Sequence, residues 1–163
     1  MNFASDNAAG IAPQILAAIS RANEGAALGY GQDAWTRRVE ERFAELFARE
    51  VAVFLVPTGT AANALALAHL TPAWGAVLCH NEAHIATDEC GAPEFYGGGI
   101  KLMGLPGEAG KIAPDTLQHA LSATSWGGPH HVSPTLLSLS QATEAGTIYR
   151  PDEIRALADI AHA

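Results

Sequence analysis

Residues 51–69 read VAVFLVPTGTAANALALAH, and no other stretch constrains the fold as strongly. The apolar run 51–56 has the β-branched and aromatic content of a buried strand. Pro57 ends it. Thr58, Gly59 and Thr60 then turn the chain, and residues 61–69 carry the alanine- and leucine-rich composition of a helix. A strand, a tight glycine turn flanked by hydroxyls and a helix opening at that turn together outline an anion site. The first helical amides have no partner inside the helix, and the macrodipole places partial positive charge there. Gly59 lets a ligand approach the backbone, and the hydroxyls of Thr58 and Thr60 add donors. The stretch reads as a phosphate cup. A threonine that merely caps a helix packed on a sheet would leave the same letters.

Around this centre, 163 residues give room for one domain with a sizeable core. No apolar run approaches a membrane span, and no basic segment leads into an apolar one at the N-terminus. A soluble, cytoplasmic protein is expected, with no membrane partner. The net charge of −8 argues against a nucleic-acid partner, which calls for clustered Lys and Arg. Cys79 and Cys90 are too few for a disulfide framework.

Residues 1–12 are polar and irregular and read as an N-terminal arm. Pro13 suits the first turn of a helix over 13–22. Three glycines and Tyr30 make 23–31 a surface loop or a site wall. Asp33 can cap a second helix, in which Trp35, Val39, Phe43, Leu46 and Phe47 recur at helical spacing as a core or subunit-interface stripe. After the central motif the pattern predicts strand 76–80, helix 83–90, strand 100–105, helix 114–123, strand 134–140 and helix 151–163. Strands alternating with helices imply an α/β fold of three layers, a mainly parallel sheet covered on both faces. In such sheets ligands sit at the carboxyl ends of strands, which gathers the Thr58–Thr60 turn, the loop entering His84 and the residues near Gln141. The last helix runs into the C-terminus with no strand after it, which points to a fragment.

Fingerprints of common nucleotide sites are absent: no G-x-x-x-x-G-K-[ST], and no G-x-G-x-x-G opening a helix. A small monophosphate ligand fits the cup better than a triphosphate. His84, after a strand, could stack on an aromatic ring or exchange protons, or simply bond a backbone group. Asp88 and Glu89 are adjacent on the expected helix, so both cannot face one substrate; one can orient His84, or both are solvated. Cys79, His80, His84 and Cys90 fall close together, but their spacing matches no common zinc pattern, and no metal is assigned. His130 and His131 stand in a loop ahead of a strand, either poised for proton transfer or exposed. No nucleophile elbow of the G-x-S-x-G kind occurs.

These pieces, in order, resemble the low-specificity threonine aldolases, pyridoxal-phosphate enzymes of the aspartate-aminotransferase-like fold. The matching stretches are FASDN at 3–7, Tyr30-Gly31, FLVPTGTAAN at 54–63, His84 with DECGA at 88–92, His130, and LLSL at 136–139 leading to QATE at 141–144. The resemblance implies that residues 13–163 are the N-terminal portion of the cofactor-binding large domain. It implies that Thr58, Gly59 and Thr60 hold the cofactor phosphate, that His84 stacks on the pyridine ring, and that Gln141 reaches the ring hydroxyl. Ser5 and Tyr30 would serve the substrate, and His130 would approach its β-hydroxyl. The implied reaction cleaves threonine or allo-threonine to glycine and acetaldehyde, in a homodimer or homotetramer. The family's pyridinium-pairing aspartate, its neighbouring arginine and its Schiff-base lysine fall beyond Ala163, and Lys101 and Lys111 do not stand in the lysine's context. The resemblance therefore covers about the first half of a typical member and implies a truncated chain, inactive alone. A different β-eliminating amino-acid lyase, or a non-catalytic truncated product, are the alternatives.

Overall fold

The structure is a computed structural model and describes residues 8–123 and 125–163. The chain divides into two compact units, Met1–Leu55 and Val56–Ala163.

In the first unit Pro13 opens α1 (Pro13–Ala22), where its missing amide costs nothing. Helix α2 (Ala34–Phe47) starts where Asp33 was expected to cap it: Oδ1 accepts the amides of Trp35 and Thr36, both at 2.8 Å, and Oδ2 accepts the Thr36 hydroxyl at 2.7 Å. Neither helix buries a residue. The α2 stripe is therefore not core in the single chain; Trp35, Phe43, Leu46 and Phe47 are exposed. The expected strand over 51–56 is also corrected. No strand forms there, and Phe54 and Leu55 are 85% and 72% exposed. A strand needs neighbours for its amides and carbonyls and a layer over its side chains, and apolar composition alone supplies neither.

The second unit holds α3 (Gly59–Leu70), β1 (Gly75–His80), α4 (His84–Thr87), α5 (Ala92–Tyr96), β2 (Lys101–Leu105), α6 (Pro114–Ala123), β3 (Ser133–Leu137) and α7 (Pro151–Ala161). The strands form one sheet in the order β2-β1-β3, parallel throughout. Central β1 is buried along its whole length, as a strand covered on both faces must be. Val77 and Cys79 pack on one side with Leu67 of α3, Ile85 of α4 and Ile100. Leu78 packs on the other with Leu105, Ile112, Leu117 of α6, Tyr149 and Leu157 of α7. This is the expected three-layer α/β/α arrangement. Burial of Ile100, Leu117 and Leu157 contributes about 1.5–3 kcal/mol each.

The β1–β3 ladder contains an irregularity. Ala76 pairs with Pro134 and Val77 with Leu136, so Thr135 is the extra residue. Pro134 has no amide hydrogen to give the ladder. The Thr135 hydroxyl instead donates to the Ala76 carbonyl at 3.3 Å.

The helix expected over 83–90 is corrected to the single turn of α4, and a second short helix, α5, which was not expected, follows it. Cys90 (φ 52°) and Gly91 (φ 71°) are both left-handed and turn the chain between them.

Candidate functional site

At the start of α3, Thr58 is extended (φ −144°, ψ 158°), and its hydroxyl oxygen accepts the Ala61 amide at 3.0 Å. Its carbonyl accepts the Ala62 amide at 3.2 Å as the first helical bond. The amides of Gly59 and Thr60 precede any acceptor within the helix and point outward from its positive end. A Cβ added at Gly59 would meet nothing within 4 Å, so the space over the turn is open. Thr58 caps the helix, and the turn in front of it stays open. Thr58 accepts through its oxygen and keeps its hydroxyl proton for a ligand.

His84 opens α4 just beyond the carboxyl end of β1. Its Nδ1 lies 2.9 Å from Oε1 of Glu89, and the same oxygen accepts Nδ2 of Asn63 at 2.7 Å. The Glu89 side chain is wholly buried and that of His84 is 47% exposed. Oε2 of Glu89 is buried with no partner among the described residues. The hydrogen bond to Glu89 holds the His84 pKa above its ordinary value, aided by the negative charges of Glu89, Glu144 and Asp88 and opposed by desolvation. Of the two adjacent acids, Glu89 orients the ring. Asp88 instead accepts the Thr87 hydroxyl at 2.9 Å. Asn63 ties α3 to the same carboxylate, so the cup and the histidine share one support. Sequence reasoning missed Asn63, although a lone amide within the alanine–leucine run of α3 was the available signal.

The remaining candidates are placed as follows. Gln141 follows β3, but both ends of its amide are engaged: Nε2 donates to the Tyr149 carbonyl at 2.9 Å, and Oε1 accepts the Tyr149 amide at 2.8 Å. It closes a loop whose Glu144 lies within electrostatic reach of His84. His130 is exposed in the 127–132 loop, which Gly127 closes by donating its amide to the Val132 carbonyl at 3.3 Å. Ser133, the first residue of β3, is level with Gly75, so this loop lies at the amino edge of the sheet. His84 lies beyond the opposite edge, and the chain does not bring the two histidines together. Tyr30 is fully exposed with φ 59° in the first unit. Ser5 lies outside the described residues. The Lys111 amine is engaged by both carboxylate oxygens of Glu153, at 2.7 and 2.8 Å.

An open helix N-terminus and a carboxylate-backed histidine, joined through Asn63 beside a covered parallel sheet, mark this as an α/β domain. The chain belongs to the Beta-eliminating lyase family, which matches residues 2–163. Members of that family depend on pyridoxal phosphate. The chain is 45% identical over 155 residues to the low specificity L-threonine aldolase of Pseudomonas aeruginosa, covering 95% of this chain and 44% of that protein. Against the low specificity L-threonine aldolase of a Pseudomonas species the identity is 43%, with the same coverage. The solved structure of Leishmania major threonine aldolase superposes with a TM-score of 0.87 at 30% identity, over 95% of this chain and 44% of that one. The chain thus spans less than half the length of the relatives it matches. Among the described residues no helix is long and apolar enough to cross a membrane.

Proposed function

We propose that this chain forms the cofactor-holding N-terminal part of a pyridoxal-phosphate lyase that cleaves threonine or allo-threonine to glycine and acetaldehyde. The observation that carries the reading is the open turn at Gly59, joined through Asn63 and Glu89 to the half-exposed ring of His84. These residues suit the group: outward amides and a free hydroxyl proton for a phosphate, and a braced flat ring for a pyridine. The amides of Gly59 and Thr60 and the Thr58 hydroxyl bind the phosphate. His84 lies against the ring. When bound, the cofactor supplies an electron sink for the carbanion left when the Cα–Cβ bond breaks. This chain's part is to fix the ring's position and, in place of His130, whose loop lies at the opposite edge of the sheet, to take the β-hydroxyl proton at Nε2 of His84.

Gln141 acts by holding the loop that carries Glu144; contact with a ring hydroxyl would require it to release Tyr149. Ser5 and Tyr30 are assigned to the substrate carboxylate. His130 takes its role toward the substrate in an assembly where a second copy brings the 127–132 loop to the site, in keeping with a homodimer or homotetramer. A soluble cytoplasmic setting suits an enzyme of free amino acids.

The test joins this chain to the remaining portion of the Pseudomonas aeruginosa relative and supplies pyridoxal phosphate. The panel is threonine, allo-threonine, serine and tryptophan. Glycine and acetaldehyde from the first two are expected. Pyruvate from serine or indole from tryptophan would move the assignment to a β-eliminating lyase, and cofactor bound without any turnover would remove the aldolase reading. Borohydride treatment of the chain alone, followed by mass spectrometry, is expected to leave Lys101 and Lys111 unmodified.

A further inference from the structure

The inference rests on the reading of His84 as the ring-facing and proton-accepting residue, and concerns the group behind it. Oε1 of Glu89 receives two contacts, Asn63 Nδ2 at 2.7 Å and His84 Nδ1 at 2.9 Å. The amide Nδ2 can only donate. An oxygen that already accepts one N–H is a poor site for a carboxyl proton, so the second contact is an Nδ1–H donating to Glu89 and not an O–H donating to Nδ1. With the proton on Nδ1, the lone pair of neutral His84 lies on Nε2, away from the carboxylate. Ionised or protonated on Oε2, Glu89 presents the same accepting Oε1 to the ring.

We propose that Glu89, steadied by Asn63, is a positioning residue that fixes the Nδ1–H tautomer of His84 and thereby makes Nε2 the nitrogen that accepts the substrate's β-hydroxyl proton. Two observations separate this from a simple brace between α3 and α4. The carboxylate is wholly buried while the imidazole it bonds is 47% exposed, so the pair runs from the interior to an open ring. The second carboxylate oxygen is also buried without a partner among the described residues. A brace alone does not call for a carboxyl group, because an amide oxygen would accept from the same two N–H groups. The charges that act on the ring are all acidic: Glu89 through its hydrogen bond, and Glu144 of the loop after β3 and Asp88 at the end of α4 through space. A proton taken at Nε2 therefore rests on an imidazolium with carboxylates around it, and its release regenerates the same tautomer.

The test is made on the chain itself, without cofactor, by nitrogen NMR of ring-labelled histidine across the titration of His84. His84 is one of seven histidines and is identified by the signal lost in His84→Asn. In the wild type the neutral ring is expected to carry its proton on Nδ1; a neutral ring protonated on Nε2 overturns the proposal, and this reading needs no variant to fold. In Glu89→Gln, with native circular dichroism, the His84 midpoint is expected to move down in pH, and an unchanged midpoint overturns the proposal as well. Cofactor binding is followed separately by absorbance, so failure of the cup reading and failure of the tautomer assignment are distinguishable.

Discussion

Thr58 shows how one side chain serves two purposes at the residue scale. Its hydroxyl oxygen caps α3 through the Ala61 amide, and its hydroxyl proton stays available over the open turn at Gly59. Thr58→Ala removes both. The loss of the cap is expected to cost about 0.5–2 kcal/mol, read as a lowered urea midpoint. Binding of pyridoxal phosphate should weaken more than binding of pyridoxal, which has no phosphate to lose. Thr58→Ser keeps the oxygen and should restore both readouts. Equal weakening of the two ligands would place the threonine in the cap alone.

At the scale of elements, α7 shows two kinds of attachment to the sheet. Leu157 is fully buried in the cluster with Leu78, Leu117 and Tyr149. Leu157→Ala is expected to destabilise the protein by about 2–5 kcal/mol through lost contacts and a residual cavity, measured by urea unfolding. Glu153 in the first turn of α7 bonds Lys111, and that hydrogen bond is the main reason its carboxyl pKa lies below the ordinary 4.5. A depressed carboxylate contributes stability above its unfolded value and loses it as pH falls through the folded one. The chain should therefore lose part of its stability below 4.5, and Lys111→Met should flatten that acid dependence in thermal melts.

The elements best read from sequence were those marked by chemistry local to the chain. Pro13, Asp33, Pro114 and Pro151 announced helix starts, and each helix begins at or just after them. Strand β1 stood out because Ala76, Val77, Leu78 and Cys79 are apolar without interruption. Residues 51–56 carried the same signal and form no strand, because pairing depends on partners that composition does not encode. At the site, the open turn before α3 and the place of His84 after a strand were legible. The choice of Glu89 over Asp88 was not legible. It depends on α4 ending at Thr87, so that Asp88 (φ −128°) and Glu89 already lie outside the helix on which the sequence placed them.

Considered as a whole molecule, the chain has a seam at Leu55 and Val56, within a segment that carries no strand and exposes Phe54 and Leu55. Limited chymotrypsin digestion is expected to cut first after Phe54 or Leu55 and to leave 56–163 resistant, with the products identified by mass. First cleavage within β1 or α6 would contradict this division. The extra residue at Thr135 has a further consequence for sequences that diverge from this one. Leu136 faces the layer of α3 and α4, and Leu137 the layer of α6 and α7. Removing Thr135 alone would leave Pro134 opposite Ala76, Leu136 opposite Val77 and Leu137 opposite Leu78, one unbroken register with both leucines on their own faces, whereas removing Leu136 with Thr135 kept would bring Leu137 to the face of Val77. The strand can shed that one letter and keep its phase, but it cannot shed the next.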